Sequence, residues 1–434
     1  MPEKTTESRH SHLSTAAASA LYIGALLGPS LLLLPGLAAR AAGPASLLVW
    51  LALLVLSGLI AVVFCALGTQ VGSTGGVAGY TAAGLGERAG RAAAWCFLAG
   101  VVAGAPVVSL IGGSYAAAAL GMGESAAVPA ALVLLGLVLA VRLVGVRTGA
   151  KLQLVLVAAL VALVLFAMLG SAPHARAANW TPFLPHGWAG VARAAPPLMF
   201  AFVGWEAAAS LTTRLRDPRR QLRLVVLIAF VVTSLLCLGL GAATVAVLGP
   251  DAGGAVPLAD LMRAAIGDSG RILAVGAALV LTLAATNTYL TGAAELTDAL
   301  LPPTPTPSRR GSYAVVATTA LTGGPLIALV GSGVLSTDQL VAVPTALFLS
   351  VYLTCTASAI RILNGLPRLA AMVCCPAVLA LVLGTGWPVL AVAAVALLAA
   401  TLPGRGSISA AQDAHRNEPE LTEGNVVLAS HNSH

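Results

Sequence analysis

Apolar runs recur from residue 16 to residue 402, and the polar residues gather in the gaps between them. A helix that crosses a bilayer needs roughly 17–25 mostly apolar residues, because its 1.5 Å rise must cover a hydrocarbon core of about 30 Å. Hydropathy therefore predicts twelve spans. The first five lie at 16–39, 45–67, 92–120, 126–141 and 152–169. The next five lie at 194–211, 224–248, 272–294, 313–330 and 340–360, and two shorter ones close the set at 369–384 and 387–402. The last two are near or below crossing length, so flanking residues or a thinned bilayer must help them.

Two of these spans are interrupted. The first contains Tyr22-Ile23-Gly24-Ala25-Leu26-Leu27-Gly28-Pro29-Ser30. Gly24 and Gly28 lack a Cβ, and Pro29 has no N–H for the helix ladder, so the helix should kink or break near Gly28-Pro29. In lipid an opened backbone survives only where protein or a polar cavity covers it. The sixth span contains Phe202-Val203-Gly204-Trp205-Glu206 and holds the one acidic residue placed well inside a predicted span. A carboxylate there costs about 2.5–3.5 kcal/mol on insertion scales, so Glu206 should face a cavity or a partner. It either gates or couples protons, or it caps N–H groups freed by an opening at Gly204.

Spans one and six are each the first of a five-helix set, 16–169 and 194–360. Interruptions at corresponding places in two repeats point to a transporter's central site. An odd number of helices per repeat also turns the second set upside down in the membrane. The predicted layout is a cytoplasmic tail (1–15), a first repeat (16–169), an outer loop (170–193), an inverted second repeat (194–360), two further spans (361–402) and a disordered cytoplasmic tail (403–434).

Composition narrows the class. The chain is 58% hydrophobic and 9% charged, against about 25% charged in soluble domains, which excludes a water-soluble fold. The net charge of +7 comes from arginines in loops and does not call for nucleic acid. With the N-terminus inside, the outside keeps only Arg40, Arg176, Arg193, Arg263 and Arg271, and the other Lys and Arg residues of the 23 fall inside. That asymmetry predicts two cytoplasmic termini and an even number of spans. The six cysteines lie in apolar segments without metal-ligand spacing, and no histidine lies in a span. Catalysis would need paired acids, a metal cluster or an activated nucleophile, and the spans show none, so an enzyme is not expected.

At these residues the chain resembles the amino acid–polyamine–organocation superfamily of permeases. The resemblance runs from Ile23-Gly24 to Gly28-Pro29-Ser30, through Leu34-Pro35-Gly36 and Ser73-Thr74-Gly75-Gly76, to Asn179-Trp180-Thr181-Pro182, and then to Phe202–Glu206 with Arg216-Asp217-Pro218. Within that superfamily it looks most like bacterial exporters of methionine and branched-chain amino acids. The resemblance implies an all-α fold of five-plus-five inverted helices, the LeuT-like fold, with two additional C-terminal helices. It also implies secondary transport of neutral hydrophobic L-amino acids across a bacterial inner membrane, in the efflux direction, driven by a transmembrane ion gradient. Uptake of an amine, a polyamine or another amino acid is the alternative.

The site that this resemblance implies takes the substrate carboxylate on backbone around Gly28, Pro29 and Ser30. It takes the ammonium on carbonyls around Ala201, Phe202 and Val203. Physics agrees, since half-helix N-termini favour anions and freed carbonyls favour cations. Ile23, Gly24, Leu27 and Gly204 complete the two breaks, and Asn287 adds a polar group on the pathway. Trp205 and Phe202 either wall the side-chain pocket or pack the helices. This chain departs from the superfamily in having Pro29 and Ser30 at the first break, and in having the apolar Ala158-Ala159-Leu160 where some proton-coupled relatives carry a lysine. Glu206 is thus the residue left for proton coupling. A sodium site would need span-one carbonyls with Thr286 and Thr288. The expected partners are a small-molecule amino acid and the lipid bilayer, with the chain a monomer or a homodimer.

Overall fold

The computed structural model describes residues 13–72, 75–145, 150–212, 215–300 and 309–401. Most of the N-terminal tail, the proline-rich connector at 302–307, Ser73-Thr74, Thr213-Arg214 and the tail at 403–434 lie outside the described residues. Among those described, the chain is helical with no strand, and nine helical segments are long and apolar enough to cross a bilayer. The protein is a multi-pass membrane protein.

The first span is two helices, α1 (Thr15–Leu26) and α2 (Ser30–Ala42). Ser14 caps α1 by accepting from the Ala17 N–H at 3.2 Å. The second span is α3 (Ser46–Gln70). A short helix, α4 (Gly76–Leu85), follows it in the gap between the second and third predicted spans. It packs against α5 (Glu87–Ala119), the third span, and the Ser358 hydroxyl donates to its Tyr80 carbonyl at 2.6 Å. Spans four and five are α6 (Ala127–Val144) and α7 (Ala150–Ser171).

The sixth span starts earlier than hydropathy placed it. Helix α8 (Gly187–Leu198) takes residues 187–193 from the expected outer loop, because the helix ladder tolerates the polar start that a hydropathy window discards. A 3₁₀ turn (Met199–Phe202), a turn at 203–206 that opens on the extended Val203, and the short helix α9 (Ala207–Thr212) complete it. Then come α10 (Pro218–Ala243), α11 (Pro257–Ile266), α12 (Asp268–Leu300), α13 (Arg310–Gly331), α14 (Thr337–Ile362), α15 (Leu366–Gly384) and α16 (Val389–Thr401). Asp217 caps α10 with Pro218 in its first turn, and a Ser336–Gln339 capping box starts α14. Helix α11 is a short amphipathic element between spans seven and eight that the hydropathy pattern does not mark.

Packing sorts the helices into two groups. α5, α6, α12 and α13 contact one another, while α1 packs on α10, α10 on α3, and α2 on α8. The core lies where the groups meet. In α14, 83% of the most apolar window is buried inside the protein, against 22% in α13, which leaves α13 facing lipid. The largest fully buried side chains are aromatic: Tyr22, Trp50, Phe64, Tyr80, Tyr115, Phe202, Trp205 and Tyr352. Four of them are tyrosines, whose hydroxyls need partners when buried. Three find those partners on the backbone of the two broken spans.

Candidate functional site

The first break is a clean one. The last bond of α1 runs from the Leu27 N–H to the Ile23 carbonyl at 2.7 Å, and α2 begins with Pro29 as its N-cap. Proline suits the start of a helix, where its missing N–H is not needed. Leu31 and Leu32 N–H groups bond back to the Gly28 and Pro29 carbonyls at 3.2 and 3.0 Å. Among the described residues, no acceptor takes the N–H of Gly28 or Ser30. Two donors therefore stand at the positive end of a half-helix, the arrangement that attracts an anion.

The second break is held open by side chains. Val203 is extended and Gly204 has φ +137°, a conformation for which glycine is suited. The Tyr352 hydroxyl, from α14, accepts from the Gly204 and Trp205 N–H groups at 3.0 and 3.2 Å. It donates to Glu206 Oε2 at 2.7 Å. The same carboxylate oxygen accepts from the Gly204 N–H at 3.0 Å. Glu206 thus bonds back over its own opened turn.

The two breaks touch. A Cβ added to Gly204 would sit 2.7 Å from the Ala25 carbonyl oxygen, so only a glycine permits this approach. The Tyr289 hydroxyl of α12 donates to that Ala25 carbonyl at 3.1 Å, and the Tyr22 hydroxyl donates to the Trp205 carbonyl at 2.9 Å. Carbonyls freed by the breaks are partly satisfied in this way. Those of Leu26 and Ala201 accept from no described donor, and freed carbonyls at a helix C-terminus favour a cation.

A cavity of about 50 Å³ lies against both breaks. Gly28, Pro29, Ser30 and Val203 line it, together with Ala25, Leu26, Gly100, Val101, Gly104, Ala105, Val108, Phe200, Thr286, Tyr289, Leu290 and Phe348. Its side chains are almost all apolar. By a measure in which one water needs roughly 10–15 Å³, this is room for a few waters, so an amino acid requires it to widen. A neighbouring cavity of about 40 Å³ is lined by Gly24, Leu27, Gly28 and Pro29 with residues of α7 and α12. Gly24 there faces Val157, which fills the space a Cβ would take.

The remaining expected residues lie elsewhere. Ile23, Ala201, Phe202, Gly204, Trp205, Glu206 and Asn287 do not line the central cavity. The Trp205 indole N–H donates to Ser57 Oγ at 2.8 Å, with its ring edge-on to Tyr22. Phe202 packs edge-on to Trp50. Phe200, Tyr289 and Phe348 are the aromatic walls instead. A 3₁₀ turn has three residues per turn, so residues two apart point in different directions, and Phe200 faces inward where Phe202 faces the helix bundle. Thr286 lines the central cavity and Thr288 the neighbouring one. Two positions on a helix are about 200° apart, so these hydroxyls do not converge on one cation. The small residues of α5 and the ring of Tyr289 escaped the sequence reading, since small and aromatic residues in a span look alike whether they line a cavity or pack.

The family model described as "Amino acid permease" matches residues 13–403. The chain is 27% identical over 355 residues to the uncharacterized amino acid permease YecA of Bacillus subtilis, covering 80% of this chain and 84% of that protein. It is 29% identical over 396 residues to the L-methionine/branched-chain amino acid exporter YjeH of Escherichia coli, covering 86% of this chain and 92% of that one. The branched-chain amino acid permease BcaP of Bacillus subtilis is 24% identical over 235 residues, half of each chain. With that family matched over nearly its whole length, the chain belongs to the amino acid permeases.

Proposed function

We propose that this permease is a secondary carrier of neutral hydrophobic L-amino acids of the leucine, isoleucine, valine and methionine type, and that it works in efflux. The observation that carries the substrate class is the central cavity. It sets free N–H groups of Gly28 and Ser30 near the free carbonyl of Leu26, within walls that are otherwise almost all apolar. An α-amino acid offers the matching carboxylate, ammonium and apolar side chain. Glu206, the one carboxylate near the breaks among the described residues, bonds to Gly204 and Tyr352 and does not line the cavity. That speaks against a cationic amine as the cargo. The efflux direction rests on the likeness to the methionine/branched-chain exporter.

In this reading the chain crosses the membrane twelve times, with both termini cytoplasmic and spans one to five repeated upside down by spans six to ten. The grouping of α5 and α6 (spans three and four) with α12 and α13 (spans eight and nine) supports it, because these are corresponding members of the two sets. Transport is alternating access, in which the group holding both breaks moves against that four-helix group. A proton gradient drives it, with Glu206 as the coupling or gating carboxylate. The Gly204–Glu206–Tyr352 cluster supports this, since protonating Glu206 would change the bonds that hold the second break. The bacterial inner membrane is the proposed location.

The test is counterflow. Proteoliposomes loaded with unlabelled leucine or methionine should accumulate the labelled amino acid, and unlabelled putrescine outside should not compete. No accumulation by folded protein, together with putrescine uptake in the same vesicles, would replace this reading with that of an amine carrier.

A further inference from the structure

A second, much larger cavity of about 900 Å³ lies toward the outer ends of α2, α5, α12 and α14, and the central site does not account for it. Its wall carries two opposite charges, Asp260 on α11 and Arg271 near the start of α12. They share the cavity without meeting: neither hydrogen-bonds the other, and the ion pair nearby is Arg263 with Asp268 at 3.1 Å. The Arg271 Nε is buried and donates to no described acceptor. Burial raises the Asp260 carboxyl above the ordinary aspartate range, while Arg271 and Arg263 pull it down. Arg40, also on the wall, is committed differently, since its Nε and one terminal nitrogen both donate to the Gly253 carbonyl at 2.9 and 2.6 Å. Leu33, Leu37, Leu110 and Ile111 make an apolar side to the same space.

Opposite charges left apart in a partly buried cavity are costly unless something brings them partners. An α-amino acid carries its own two charges a few ångströms apart with a side chain beside them. We propose that this outer cavity is a second amino acid site, in which Arg271 takes the carboxylate, Asp260 takes the ammonium, and the Leu33–Ile111 side takes the hydrophobic side chain. Resting on the carrier reading above, the site lies beyond the central cavity along α2 and α5. It is where an exported amino acid pauses before release, and where external amino acid would load the carrier from outside.

The experiment is equilibrium binding of radiolabelled L-leucine to the full-length protein in lipid nanodiscs. Wild type should show two classes of site. Arg271→Met and Asp260→Asn should each weaken one class by about tenfold, the scale of a lost charge-assisted hydrogen bond. Arg271→Lys should retain that class, which separates lost recognition from lost folding. Gly28→Val should remove the other class. Leucinamide and 4-methylpentanoate, each lacking one of the two charges, should compete for the outer class about tenfold more weakly than leucine. A single class, abolished by Gly28→Val and indifferent to Arg271→Met and Asp260→Asn, would overturn the outer site and leave the carrier reading standing. A class sensitive to Arg271→Met in a protein without counterflow would do the reverse. No leucine binding at all would overturn both.

Discussion

Tyr352 donates its hydroxyl proton to Glu206 across 2.7 Å while accepting from the Gly204 and Trp205 N–H groups. One hydroxyl from α14 is thereby fully used in holding open the sixth span. The carboxylate that hydropathy marked as out of place has one partner in that same turn, the Gly204 N–H, and the other on α14.

Glu206→Gln keeps an acceptor for Gly204 and Tyr352 but removes the charge. The fold should survive, with a cost of about 1 kcal/mol or less. Leucine counterflow should fall about tenfold or more, if proton coupling runs through this residue as general acid–base chemistry does through positioned carboxyls. Thermal unfolding and counterflow on the same preparation separate the two effects. Undiminished flux would remove Glu206 from the transport cycle and leave it a cap on the break.

Tyr352→Phe strips the Trp205 N–H of its acceptor, while Gly204 retains Glu206. An orphaned buried N–H costs about 1–3 kcal/mol. The variant should therefore unfold at lower temperature, and Glu206→Gln placed in the same protein should add less than it does alone, because the two side chains share one network. A double-mutant cycle measured by thermal unfolding checks this.

Gly204 and Gly28 should respond oppositely to alanine. At Gly204 the Cβ would meet the Ala25 carbonyl oxygen at 2.7 Å, on a backbone at φ +137°. Strain of this kind costs on the order of 1–3 kcal/mol, and the substituted protein should lose stability and flux together. At Gly28 the nearest atom is Ser30 Oγ at 3.9 Å, so alanine should be accommodated. Gly28→Val should fill the cavity and abolish leucine binding without a comparable loss of stability. Unchanged affinity in that variant would place the site elsewhere.

Gly104 lines the central cavity, and a Cβ there meets nothing closer than Pro344 at 3.9 Å. Gly104→Val should shrink the space for the substrate side chain. Leucine counterflow should fall about tenfold relative to alanine counterflow, the lower end of what one or two methylene groups are worth in an apolar pocket. Equal losses for the two amino acids would mean that α5 does not touch the side chain.

The membrane class, the helical content and the places where two helices break were legible in the sequence, because each depends on local chemistry. A bilayer helix must satisfy its own backbone, so a long apolar run has few other options. Gly28-Pro29 and Gly204 are where the chain can least continue as a straight helix. Glu206 stands out because a carboxylate in such a run demands a reason. Tertiary structure decided everything that depends on direction and distance along the chain. It chose Phe200 and Phe348 over Phe202 and Trp205 as walls, since the rotation of a 3₁₀ turn follows from packing on Trp50 and Tyr22. It brought Tyr289 to Ala25 across 264 positions and Tyr352 to Glu206 across 146. It put Asp260 and Arg271 in one cavity, although the sequence shows them only as charges in an outer loop and at a span's edge. Hydropathy and backbone bonding are settled residue by residue, whereas a site exists only where distant segments pack.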